Sequence, residues 1–228
     1  MPGSTSVDLN APEPGPTASV DGAVEPDNYP RELERDVTSD ASTRYHLRPI
    51  RPDDAPRLAA FHLHLLPRSV FLRFFTFHPE LSPKEVEHFT HVDYVDRLAL
   101  VAEVDDRLIA VGRFDRSPGE TEAEVAFVVS DEYQHHGIGT LLLDELAQAA
   151  RDRGVTSFRA ETLCENRTML SVFRHAGFPI TSSIEYGTAT LRFSISPTAA
   201  YRAALAAREA TRRWPAKGQA SPCEIGQT

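Results

Sequence analysis

The apolar positions of this 228-residue chain change their period along its length, and the changes mark the elements. Residues 45–50 (Tyr-His-Leu-Arg-Pro-Ile) alternate like a half-buried strand. Arg51-Pro-Asp-Asp54 then opens a helix with Leu58, Phe61, His62 and Leu65 at helical spacing. Two short helical pieces follow, Ser69–Phe77 and Pro83–His91, separated by Pro79 and Pro83. Leu98–Val104 and Leu108–Phe114 are apolar strands joined by Asp105-Asp106, a hairpin signal. Glu122–Ser130 predicts another strand. From Gly137 to Arg153 the apolar residues Ile138, Leu142, Leu146 and Ala149 recur at helical spacing, and Gly154 supplies the stop. Val155–Glu161 reads as a strand, Asn166–Ala176 as a helix ended by Gly177, and Ile184–Ile195 as a strand pair turning around Gly187. After Pro197 an alanine-rich helix, Thr198–Trp214, is stopped by Pro215. The order predicts a mixed α/β (α+β) domain with a mostly antiparallel sheet of six to seven strands flanked by helices.

Charge divides the chain into three. Of 33 acidic and 24 basic residues, nine acids but only two arginines fall in residues 1–40, which also hold six prolines among the first thirty. That stretch is expected to be a disordered acidic arm. Residues 41–196 carry the folded domain, and 197–228 form a basic helix with a loose tail. The helix is of opposite sign to the arm, so the two are candidates for mutual contact, and it is equally suited to its own domain, a partner or a second copy. A net charge of −9 argues against nucleic acid bound through bulk positive charge. No apolar run approaches the ~18 residues of a membrane span, and the N-terminus lacks a basic region followed by an apolar one. Two cysteines, Cys164 and Cys223, make no disulfide framework and fit a reducing cytoplasm, the expected location.

The candidate chemistry begins where the strand Val125–Val129 runs into Ser130-Asp-Glu-Tyr-Gln-His-His-Gly-Ile-Gly139 and then a helix. Gly137 and Gly139 let the backbone turn tightly at a helix start, where unpaired N–H groups and the helix dipole favour a phosphate. A dinucleotide fold would place such a loop after its first strand in a parallel sheet. Here it follows a three-stranded meander.

Taken together, these motifs resemble the GNAT superfamily of acyl-CoA-dependent N-acetyltransferases. Gln134-His-His-Gly137-Ile-Gly139 matches that family's Q/R-x-x-G-x-G/A loop. Asn166-Arg-Thr-Met-Leu-Ser-Val-Phe-Arg-His-Ala-Gly177-Phe178 matches its second signature, and Leu47-Arg-Pro-Ile-Arg-Pro-Asp-Asp54 its opening. The likeness spans about residues 44–195. Ser69–Phe75, Leu81-Ser82 and Thr90–Ala102 are in addition similar to Pat-type bacterial protein lysine acetyltransferases.

The resemblance implies acetyl-CoA as cosubstrate and direct attack by an amine. The acceptor is a protein lysine, possibly on an acyl-CoA synthetase; alternatives are a small-molecule amine, or a non-catalytic acyl-CoA-sensing module. An ordinary lysine amine, with a pKa near ~10.4, is protonated at neutral pH and needs a base. Glu124 occupies the position where many members carry a catalytic glutamate, and Glu122, on the same strand face, is held in reserve. The resemblance also implies that Phe127, Val128 and Val129 receive the pantetheine arm, with a backbone amide polarising the thioester carbonyl. Gln134, His135, His136, Gly137, Ile138, Gly139 and Thr140 would hold the pyrophosphate, and Asn166 the pantetheine or phosphate region. Many members carry a tyrosine acid where this chain has Phe173, which removes that acid. Protonated His135 and His136 would strengthen CoA binding, although two exposed loop residues are the simpler expectation. The pairs His62/His64 and His88/His91 suggest a metal at first glance, but no cysteine or acid lies at helpful spacing around His62 and His64, which point to different helix faces, so no metal is expected. Cys164 is expected to be a structural thiol. Phe71, Phe74, Phe75 and Phe77 are expected to pack a core or lid; the lesser alternative is a substrate groove, with Arg73 within it equally suited to be an exposed former of salt bridges.

Overall fold

A computed structural model describes residues 26–38 and 44–212. Among them, eight strands form one sheet: β1 (Arg35–Thr38), β2 (Arg44–Pro49), β3 (Arg97–Val104), β4 (Arg107–Arg116), β5 (Glu122–Val129), β6 (Ser157–Leu163), β7 (Ile180–Glu185) and β8 (Thr188–Ser194). Their order is β1-β2-β3-β4-β5-β6-β8-β7. Every neighbouring pair is antiparallel except β5 with β6. The helices are α1 (Ala55–Leu63), α2 (Pro67–Phe74), α3 (Pro83–Thr90), α4 (Ile138–Asp152), α5 (Arg167–Ala176) and α6 (Ala199–Arg212). The mixed α/β architecture is the one anticipated, with one strand more.

That strand corrects the expectation of a disordered arm over residues 1–40. Arg35–Thr38 pairs along β2, from Arg35 with Leu47 to Thr38 with Arg44. The approach to β1 is pinned by Tyr29, which is buried edge-on against Tyr94 at 5.6 Å. Its hydroxyl lies 2.8 Å from Glu34 Oε1 and 3.1 Å from the Pro49 carbonyl. Arg51 donates to the same Glu34 oxygen at 3.0 Å. Residues 1–25, 39–43 and 213–228, including the rest of the arm and the expected loose tail, lie outside the described residues.

The sheet buries two layers. One face carries Leu98, Leu100, Phe114, Val125 and Phe127 against Leu142 and Leu146 of α4 and Phe173 of α5. The other carries Ala99, Val101 and Val111 against Leu58 and Phe61 of α1 and Val70 of α2. The period of 2 in the strands thus sorts residues between the faces. The Asp105-Asp106 turn forms as read, with both residues left-handed at φ 47° and 60°.

The basic C-terminal helix packs on its own domain. Arg208 of α6 donates to both carboxylate oxygens of buried Asp144 on α4, at 2.7 and 3.0 Å, and to the His175 carbonyl at 2.8 Å. Tyr201 stacks on Phe178 at 4.3 Å. The approach is closest at Gly177, the left-handed cap of α5 (φ 87°), where an added Cβ would lie 3.0 Å from the Tyr201 Cα.

Candidate active site

β5 and β6 are paired for only three residues, the last being Glu124 with Arg159. Beyond it β5 stays with β4 up to Val129, β6 stays with β8 up to Leu163, and the sheet opens between them. The Ser130 N–H bonds the Ile109 carbonyl at 2.8 Å, which fixes the alternation along β5. Glu124, Ala126 and Val128 turn their backbone groups towards β4, while Phe127 and Val129 turn theirs towards the gap. A strand edge with unused N–H groups inside a fold calls for a partner. A cleft of about 540 Å³ occupies the gap.

The N-terminus of α4 closes one wall. His135 and Gly137 are both left-handed, at φ 66° and 75°, and Gly137 is the N-cap with no side chain to bond the first turn. The N–H groups of Ile138, Gly139 and Thr140 are therefore presented to the cleft they line. At Gly139 an added Cβ would lie 3.4 Å from Val172 Cγ2, so this glycine also brings α4 close to α5. The loop is fastened from behind. Asp131 accepts from the Leu66 N–H at 2.9 Å and from Ser69 Oγ at 2.6 Å, which ties α2 to it. Gln134 Nε2 donates to the Val129 carbonyl at 3.2 Å and approaches Ser69 Oγ at 3.3 Å, so the Gln134 side chain braces the loop.

The remaining expected residues divide. His135 is exposed and lines the cleft; His136 is half-buried with its ring edge-on to Tyr133 and with Nδ1 lacking a partner. Asn166 caps α5, its side-chain oxygen accepting from the Met169 N–H at 3.1 Å, and it lines the cleft. Phe173 is buried, 6.1 Å from the Phe127 ring and 5.6 Å from that of Phe193, so it forms the floor of the cleft as part of the core. Cys164 is half-buried, its N–H bonded to the Gly187 carbonyl at 2.9 Å. Among the described residues no group of three His, Cys, Asp or Glu side chains is placed to hold a metal.

The two glutamates differ. Glu122 is paired with Arg192 at 3.3 Å. Glu124 has neither a hydrogen bond nor an ion pair among the described residues, and it meets Arg73 only electrostatically, at longer range. Glu124 also lies opposite Asp115 in the β4–β5 register. Other residues lining the cleft include Tyr133, Arg73, and Thr162 of β6, whose buried Oγ1 is without a partner. Arg73 is half-buried and, among the described residues, makes no salt bridge, which removes the salt-bridge alternative; its guanidinium lies over the Phe74 ring at 5.1 Å.

The model of the acetyltransferase (GNAT) family matches residues 67–178. The crystal structure of the GNAT domain of S. lividans PAT superposes with a TM-score of 0.70 at 39% identity, covering 73% of this chain and 99% of that one. The chain belongs to the GNAT family of acetyltransferases. Acetyltransferase Pat of Mycolicibacterium smegmatis is 32% identical over 136 residues, which cover 58% of this chain and 40% of Pat. The chain thus spans about two fifths of the length of that relative. Acetyltransferase PA5475 of Pseudomonas aeruginosa is 27% identical over 165 residues, 71% of this GNAT chain and 86% of that protein. The Pat-like stretch read from Ser69 to Ala102 agrees with two of these three relatives.

Proposed function

We propose that this chain transfers the acetyl group of acetyl-CoA directly to a lysine side-chain amine of a protein, with Glu124 as general base. The observation that carries the reading is the pairing of an uncommitted carboxylate with an open strand edge. Glu124 stands where the β5–β6 ladder stops, and the free N–H groups of Phe127 and Val129 follow within five residues. Acetyl-CoA, a substrate here, supplies an activated thioester. The chain's part is to bind and orient it and to manage one proton.

The residues fit such a ligand. The amides of Ile138, Gly139 and Thr140 suit a pyrophosphate at a helix N-terminus. The Phe127 or Val129 N–H suits the thioester carbonyl oxygen, where a fixed dipole does most in a water-poor cleft. Glu124 takes one proton from the incoming ammonium, freeing the nitrogen lone pair to form the C–N bond as the C–S bond breaks, and the second proton shed by the nitrogen goes to the departing sulfur or to water. The thiolate departs with the bonding pair. With pKa near ~8.5, a thiol is a fair leaving group without an acid at Phe173. The likeness to the two Pat proteins favours a protein lysine over a small amine, and a reducing cytoplasm is the matching location.

Glu124→Gln keeps shape and removes the base. CoA binding is expected to survive, while kcat/KM for acetylation at pH 7 falls by about 10²–10⁴-fold. The loss should shrink as pH approaches the amine's own pKa. Mass spectrometry for acetyl-lysine, after incubating wild-type protein and acetyl-CoA with cell extract, tests the acceptor class. No protein acetylation above background would favour a small amine, and unchanged activity in the variant would remove Glu124 from the mechanism.

A further inference from the structure

On the face of the sheet that carries Glu124 there is a second, smaller cavity of about 40 Å³, too small for a cosubstrate and large enough for a compact polar group. It shares Arg73, Ala126 and Val128 with the main cleft, so it opens beside the site rather than elsewhere. Its walls are mostly apolar, among them Phe74, Phe89 and Val111, yet two guanidiniums line it: Arg73 from α2 and Arg113 from β4.

Neither guanidinium is fully used. Arg113 is buried; it donates to the Phe89 carbonyl at 3.0 Å and lies over the Phe89 ring at 4.4 Å. Its Nε is 3.4 Å from Asp115 but not aligned for a hydrogen bond. Asp115 is in turn shared with Arg97, whose Nε donates to it at 3.0 Å. Arg73, which among the described residues has no polar partner, meets Glu124 and Asp115 only at longer range. Burial pushes the Arg113 pKa down to about 10, Asp115 opposing and the charges of Arg73 and Arg97 adding to the fall. Three guanidiniums therefore face two carboxylates around Arg113, the buried member of the group, and the surplus is one positive charge. A lone buried guanidinium is costly unless an anion completes it.

We propose that Arg73 and Arg113 form a carboxylate subsite for the acceptor, so that the preferred acceptor is an amine carrying a carboxylate within reach of the amine. This rests on the reading of Glu124 as the base, because Glu124 sets where the amine must sit. The carboxylate comes either from an acidic side chain next to a target lysine or from a free amino acid. Arginine suits it because its planar fork matches a carboxylate.

The test uses matched pairs: peptides with a lysine flanked by glutamate or by glutamine, and amino acids as free acids or as amides. One pair set should show a preference of about tenfold or more in kcat/KM for the carboxylate member, and which set does so names the source. Arg73→Gln should bring that ratio near one, and Arg73→Lys should restore part of it. A wild-type ratio near one in both sets would overturn the subsite. So would an Arg73→Gln variant that slows both members equally, since that marks a residue acting only through Glu124. Calorimetry with the acetylated products, as acid and amide pairs in the presence of CoA, reads the subsite without turnover. A tenfold difference there, with no acetylation of any acceptor, would retain the subsite and reject the base. Equal affinities would reject the subsite whatever the activity.

Discussion

Replacing Gly177 by alanine tests how the C-terminal helix is held. Two costs are separable at this position. The first is conformational: Gly177 is left-handed at φ 87°, and an L-residue there loses about 1 kcal/mol. The second is steric. The new Cβ would sit 3.0 Å from the Tyr201 Cα and 3.1 Å from the Ala200 carbonyl oxygen. Both are backbone atoms, so no rotamer relieves the clash, and α6 must move as a body. It is held against moving by the stacking of Tyr201 on Phe178 and by the two-pronged contact of Arg208 with Asp144. Overpacking of this kind costs about 1–3 kcal/mol, so the total is about 2–4 kcal/mol. For a chain of this size that lowers Tm by about 4–16 °C. Gly187 supplies the control: it is left-handed at φ 83° with nothing within 4 Å of an added Cβ. Gly187→Ala should therefore show the conformational cost alone, about 1 kcal/mol. Urea unfolding of both variants measures the difference. If Gly177→Ala costs no more than Gly187→Ala, α6 is not packed on Gly177 as described.

Asp54 carries a pH dependence. Burial alone would raise its pKa, but the two 2.7 Å bonds from Arg48 and the charges of Arg48 and Arg57 outweigh burial and hold it below the ordinary carboxylate value. A pKa depressed by folding contributes stability above about pH 4, and that contribution is lost as the pH falls further. Asp54→Asn should cost about 3 kcal/mol at neutral pH and flatten the acid limb of the stability profile; an unchanged limb would exonerate Asp54. At the β3–β4 turn, Asp106→Gly should add about 0.5–1 kcal/mol, since Asp106 holds φ 60° where glycine is unstrained. Its contact with Arg57 is chiefly through the backbone carbonyl, which glycine keeps; a loss of stability on thermal unfolding would contradict this.

What could be read from the sequence follows from where each signal lives. α4 and the strands β3 to β5 announce themselves because their own side chains record burial with a clear period. β1 does not: Arg35-Asp-Val-Thr38 has one apolar residue, lies at the sheet edge, and owes its place to Tyr29 and Glu34. The loop glycines were legible because a left-handed N-cap and a close helix contact restrict residue type. The side-chain roles of Gln134 and Arg73 were not, because they depend on partners distant in sequence. Asn166 turns out to cap α5 as well as line the cleft. Gln134 braces Val129 and Ser69, 65 residues away in the latter case. Arg73 is ordinary in sequence and acquires meaning only when α2 brings it to the junction of two cavities.

In the proposed reaction, β5 lets the two substrates meet without competing for the same groups. A strand offers three separate directions: side chains above, side chains below, and backbone groups in the plane. Below, Val125 and Phe127 belong to the core with α4. In the plane, the loss of β6 after Glu124 frees the Phe127 and Val129 edge for one ligand. Above, Glu124 and Ala126 lie in register with Asp115 and Arg113, on the face proposed for the other. A slip of one residue against β4 would exchange all three at once: Glu124 would enter the core, and the free amides would turn to β4. The register is locked by Phe127 and Val125 on one side and by the bracing of Asp131 and Gln134 at the strand's end. The proposed catalytic arrangement is therefore a property of the strand's register before it is a property of any single side chain.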